Sequence, residues 1–443
     1  MHVSHGNRLS RARARVGAAL AVTALLCAGI AAAGPAGAAP KAAPKAPAAP
    51  ADCSAAYKIE QTVDGGTTWR MCWHYNTYSG LILDKVSYQP KGEAKPIPVL
   101  TTARLAQIHV PYDDGQAEFD DITGVEIGRY LQQLKTSECP GGTIKTVKVP
   151  DRGNVPGLCV TTRARGHAYR LNNDESTSGN GKVYTAQGKD LLVYTVNKAS
   201  WYEYITEWRF SSDGTITSNV GATGSLSPYD FDGGDNRGWP IGKGDQAKAE
   251  SHSHNVFWRL NFGLDGSPKA KVEQYDSKVT PPGTGGGSPT TKTTRTPVTK
   301  ELMGDRKDMR WWRVVSTAGK NKDGHPRSYE IVPGASQKHA GRPYTKHDVY
   351  FTQYKKCEQY ASHNIGCPDG YPKSVDQWSN GETLKHPISW VNIGYHHIAR
   401  DEDQQPMPVH WQGFSLAPRD VTAMSPLTPG DLAGQNGRPP NGS

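Results

Sequence analysis

Apolar residues in this chain fall in short runs separated by turn residues, and long stretches of 3.6-residue periodicity are scarce. Residues 191–196, 204–210 and 256–264 combine aliphatic, β-branched and aromatic side chains and are bounded by Gly, Asp and Asn. That is the chemistry of strands closed by turns. Four arginines, Arg8, Arg11, Arg13 and Arg15, precede an apolar stretch over 16–33, which ends in the small residues Ala36, Gly37 and Ala38. This order predicts a secretory signal peptide over 1–38. The Ala/Pro/Lys run over 39–51 then reads as a flexible spacer. No later segment has the roughly 20 apolar residues that a membrane helix needs, so the mature form is expected to be secreted and free of the membrane.

About 390 residues follow the spacer, enough for two or three domains or one large all-β unit. The 48 glycines, 32 prolines and 20 tyrosines favour many short strands, and the predicted fold is all-β dominated, a large β-sandwich. The stretch 281–297, with Pro-Pro, a Gly triplet and repeated Thr, predicts a solvated low-complexity loop inserted in a single domain over 52–429. The tail over 430–443 is expected to be disordered. The formal charge of +9 owes part of its size to the leader and spacer. No basic, aromatic-interleaved patch stands out, which speaks against nucleic acid as a partner. Of seven cysteines, Cys27 lies in the leader. The order of the other six suggests the local pairs Cys53–Cys72, Cys139–Cys159 and Cys357–Cys367, among 15 possible connectivities.

Chemistry concentrates in the histidines. His252 and His254 stand two apart, so on a strand both imidazoles face one way and can reach one ion. A second cluster reads Gly394-Tyr395-His396-His397-Ile398-Ala399-Arg400-Asp401-Glu402-Asp403. Adjacent histidines on a strand point to opposite faces, so only one of His396 and His397 joins the first pair. Three neutral imidazoles with an open position suit a redox-active copper or a catalytic zinc. A zinc hydrolase lacks its Glu at general-base spacing.

In this order and separation the two clusters resemble the copper amine oxidases, which use copper(II) and topaquinone. The family's His-x-His precedes an Arg-Leu and an Asp-Gly, here Arg259, Leu260, Asp265 and Gly266. Its third ligand is the second histidine of a His-His-x-x-Arg-x-Glu-Asp segment, here His397. The run Trp201-Tyr202-Glu203-Tyr204-Ile205-Thr206-Glu207-Trp208 is similar to the family's cofactor strand, with Tyr202 on the modified tyrosine and Trp208 fixing the register. The resemblance implies His252, His254 and His397 as metal ligands and Tyr202 as quinone precursor. It also implies Tyr112 as the hydroxyl on a quinone oxygen and Asp120 as general base, with Asp121 the competing choice. Asp120 follows Phe119 and precedes Cys139, whose partner in the family matches Cys159.

The activity so implied is oxidation of a small primary amine by O2 to an aldehyde, with release of ammonia and hydrogen peroxide, carried out by a homodimer. The family's two small N-terminal domains have no counterpart here, so the chain looks like a catalytic domain alone. Trp201 stands where the family has Asn, Ser200 replaces a Gly, and Glu118 stands where a gating aromatic is often found. Asn261 and Gly263 replace two aspartates of a peripheral calcium site, so no calcium is expected. The alternative is a relative that binds copper without forming the quinone.

Overall fold

The computed structural model describes residues 53–174, 179–228, 238–244, 247–283, 286–364, 366–367 and 372–438. The expected leader and spacer lie outside them. Two large antiparallel sheets dominate. The first has nine strands, in the order Lys58–Val63, Thr67–Asn76, Gly80–Gln89, Ile97–Pro111, His252–Phe262, Pro387–His397, Val349–Gln353 and Leu302–Gly304, with Glu118–Asp120 added beside Ile97–Pro111. The second has ten, in the order Thr290–Val298, Ala270–Thr280, Trp311–Lys320, Pro326–Pro333, Met407–Arg419, Ile216–Gly224, Tyr202–Ser211, Val183–Ala199, Gly153–Asn172 and Thr143–Val149.

The sheets pack face to face because each presents an apolar row to the other. Trp69 meets Phe210 at a ring separation of 5.1 Å, and Trp258 meets Phe414 at 5.2 Å. The Trp69 indole N–H is satisfied by the Ser211 carbonyl at 3.0 Å, as a buried polar group requires. The expected sandwich is formed. Among the described residues no helix is long and apolar enough to cross a membrane.

Strand His252–Phe262 is buried along its whole length. It pairs with Ile97–Pro111 on one side and Pro387–His397 on the other, and both of its faces are covered. Its even-numbered residues enter the space between the sheets. On the opposite face Phe257 joins a second apolar cluster with Tyr344, Tyr350, Trp378 and Trp390.

All three local cysteine pairs are formed, Cys53–Cys72, Cys139–Cys159 and Cys357–Cys367. Two expectations need correction. The solvated loop over 281–297 is half strand: Thr290–Val298 pairs with Ala270–Thr280 from Thr280↔Thr290 to Val272↔Val298. Composition hid it because the hairpin is exposed and its threonines, poor at filling a core, are β-branched and suit a ladder. The tail begins with a 3-10 turn, Gly430–Gln435, and Asp431 accepts hydrogen bonds from Lys182 (2.7 Å) and Tyr184 (2.9 Å). Residues 439–443 lie outside the described residues.

Candidate metal and quinone centre

Tyr202 is the first residue of its strand. The preceding turn is two residues long, since Ala199 and Tyr202 are paired across the hairpin, and Ser200 takes a positive φ of 56°. From this fixed start Tyr202, Tyr204, Trp208 and Phe210 all enter the buried core. The Tyr202 hydroxyl lies 2.8 Å from Nε2 of His252 and 2.9 Å from Nδ1 of His397, with the Met407 sulfur at 3.7 Å. Its ring is 5.1 Å from that of His254, and the His252 ring is 4.9 Å from His254 and 5.0 Å from His397. The structure therefore brings His252, His254, His397 and Tyr202 together. His396 points the other way, 38% exposed at its side chain, with Nε2 2.8 Å from Asp113.

Hydrogen bonding selects which nitrogen of His397 and of His254 stays available. Nε2 of His397 faces the wholly buried Asp403 carboxylate at 2.8 Å. It donates there and leaves the Nδ1 lone pair toward Tyr202. Tyr204 donates its single proton to Asp121 at 2.7 Å, so its oxygen accepts from Nδ1 of His254 at 3.3 Å. That leaves the His254 Nε2 unprotonated, and this buried atom has no hydrogen-bond partner.

Burial, first, and then the neighbouring imidazoles push the His252 and His254 pKa values down, His254 to about 3. Burial likewise lowers His397. The imidazoles are thus neutral, as ligands must be. Burial raises the Tyr202 phenol well above its ordinary value. Two directed nitrogens, an orphaned third and a phenol at their point of convergence fit a divalent copper ion. His397, Asp403 and His410 also place donor atoms within 4.8 Å of one another. Both histidines of that group aim Nε2 at the carboxylate, His410 at 3.4 Å, so it is the support behind His397.

The two aspartates separate cleanly. Asp120 is paired with Nδ1 of His109 at 3.0 Å and with His363, and Ser362 donates to it at 3.2 Å. Burial opposes its charge, but these two histidines hold its carboxyl well below the usual carboxylate range. It is turned away from Tyr202, contrary to the expectation for the base. Asp121 instead reaches Tyr204, whose ring stacks 5.9 Å from that of Tyr202. Burial, and secondarily the charge of Asp120, push Asp121 up to about 7.

Tyr112 stacks on His252 with centroids 4.9 Å apart, and its hydroxyl accepts the Trp201 indole N–H at 3.1 Å. Phe119 meets both Tyr112 and Trp201 edge-on. Glu118, at the position read as a gate, is bound by Arg342 and by Nε2 of His109 at 2.9 Å. Sequence reading gave no role to Asp403, Tyr204, His410 or Met407; the signal for Asp403 was its place as the last residue of the His-His-x-x-Arg-x-Glu-Asp segment.

Comparison with known proteins agrees with this geometry. The family model for the enzyme domain of copper amine oxidase matches residues 66–429. Primary amine oxidase 2 of Arabidopsis thaliana is 23% identical over 406 residues, 84% of this chain and 59% of the relative. Histamine oxidase of Arthrobacter globiformis is 24% identical over 408 residues, 83% of this chain and 57% of the relative. The copper-containing benzylamine oxidase of Hansenula polymorpha superposes with a TM-score of 0.69 at 21% identity, covering 83% of this chain and 62% of the other. The chain thus spans about three fifths of the length of these relatives. With the enzyme-domain model matched from residue 66 to residue 429, the chain belongs to the copper amine oxidase family.

Proposed function

We propose that this chain oxidises a primary amine with O2 to an aldehyde, ammonia and hydrogen peroxide, using copper(II) and a topaquinone made from Tyr202. The observation that carries the reading is the Tyr202 hydroxyl standing at the meeting point of His252 Nε2 and His397 Nδ1. When bound, copper supplies the redox partner for oxidising the phenol ring, and the resulting quinone supplies the electrophilic carbonyl for amine chemistry.

His252, His254 and His397 hold the metal, Asp403 fixes the tautomer of His397, and the Tyr204–Asp121 pair fixes that of His254. Asp121 is the general base that takes the proton from the substrate α-carbon. Its affinity for protons near neutrality suits reversible transfer, whereas Asp120 already serves His109 and His363. Asp120 instead anchors the segment that carries Asp121. Trp201 holds the Tyr112 hydroxyl beside the metal ligands. The three disulfides support an oxidising compartment, hence secretion. A homodimer is part of the proposal and is checked by sedimentation.

Copper added under air to metal-free protein should generate a pink absorbance that shifts with phenylhydrazine, and the Tyr202 peptide should gain oxygen in its mass. A colourless protein that binds one copper per chain and leaves that peptide unchanged identifies a relative that no longer forms the quinone.

A further inference from the structure

On the face of strand His252–Phe262 turned away from Tyr202, two arginines sit side by side. Arg259 and Arg104 are Cα partners across the pair with Ile97–Pro111, so their side chains leave the sheet together. Arg259 is 2% exposed and Arg104 7%. Both reach one short piece of chain: Arg259 Nε donates to the Glu358 carbonyl at 2.9 Å, and Arg104 Nη2 to the Gln359 carbonyl at 3.4 Å. Aromatic faces cover them, with Arg104 Cζ 5.5 Å from the Tyr360 centroid and Arg259 Cζ 5.5 Å from that of Trp390.

The arrangement leaves donor atoms over. Nε of Arg104 and Nη2 of Arg259 are buried and have no hydrogen-bond partner. Among the described residues neither guanidinium forms an ion pair. Asp84, whose charge acts on Arg104, is paired with His74. Glu358 pairs with Lys355 at 3.9 Å and its charge also reaches Arg259, but burial pushes its carboxyl up to about 7, so near neutrality it is only a partial counter-charge. Burial and the charge of Arg104 pull Arg259 down. Carbonyls and ring faces offer partial charge only, and two adjacent buried cations call for an anion.

We propose that Arg104 and Arg259 together hold a small inorganic anion of the halide class, chloride in the working protein. The free N–H groups of the two guanidinium forks supply its donors, and the surrounding rings keep out water. The anion ties the pair of central strands to the segment at Glu358–Gln359. This site lies across the sheet from the centre proposed for amine oxidation and does not depend on that reading.

Diffraction from crystals of the full chain in sodium bromide, recorded at the bromine edge, should show an anomalous peak between Arg104 and Arg259. In solution, chloride should raise the melting temperature saturably over gluconate at equal ionic strength, and Arg104→Met should abolish the difference. A protein without a peak there, or with bromide on surface sites only, overturns the site. So does a Glu358 carboxylate seated against both guanidinium groups, or melting that responds equally to the two salts. The bromide experiment needs no variant, so misfolding of Arg104→Met leaves the question decidable.

Discussion

Tyr204 donates its hydroxyl proton to Asp121 at 2.7 Å, and that one bond links the acid to the His254 side of the metal centre. Asp121 should therefore be the base. Asp121→Asn is expected to lower kcat/KM by roughly 10²–10⁴-fold with copper retained, whereas Asp120→Asn should cost much less. In the unsubstituted protein kcat/KM should climb as pH rises through about 7, where Asp121 ionises. Equal losses in the two variants, or a larger one for Asp120→Asn, would return the role to Asp120.

The same carboxyl affects stability. Its ordinary value is 3.8 and its folded value about 7, so between these the folded chain holds a proton that the unfolded chain has released. Stability falls as pH rises through that window. A difference of about 3 units amounts to about 4 kcal/mol above pH 7. Asp121→Asn should melt near the parent at pH 4 and clearly above it at pH 8; thermal unfolding at the two pH values decides the matter.

Copper analysis after dialysis against a weak chelator tests the ligand set. Replacing His252, His254 or His397 by Ala should abolish retention. His396→Ala should leave it intact, because that side chain faces Asp113 and solvent.

Asp403→Asn keeps the shape beside His397 but removes the charge that orients its Nε2 proton. Copper affinity should drop about 10- to 100-fold, read by competition with a chelator of known strength. An unchanged affinity would mean that the strand alone sets the His397 ring.

How much of this could be read from the sequence follows from where each residue sits. The ligand histidines were legible because they lie on long strands, where alternation puts His252 and His254 on one face and separates His396 from His397; the choice of His397 came from the family resemblance. Asp120 and Asp121 were not, because the strand Glu118–Asp120 is three residues long and the chain turns immediately after it. Asp403 closes a 3-10 turn of three consecutive acids, Asp401–Asp403, and nothing in such a run says which acid turns inward. The strand over 290–298 was missed because its polar threonines carry no core signal. The sandwich, by contrast, was legible from short apolar runs and turn residues.

His252 and His397 are Cα partners in the antiparallel ladder, which ties metal capture to the alignment of two strands far apart in sequence. A slip of one residue would turn His396 inward and His397 out. If the proposed copper site is filled, copper uptake during refolding should serve as a clock: its onset would mark the moment at which these two strands have zipped in their native alignment.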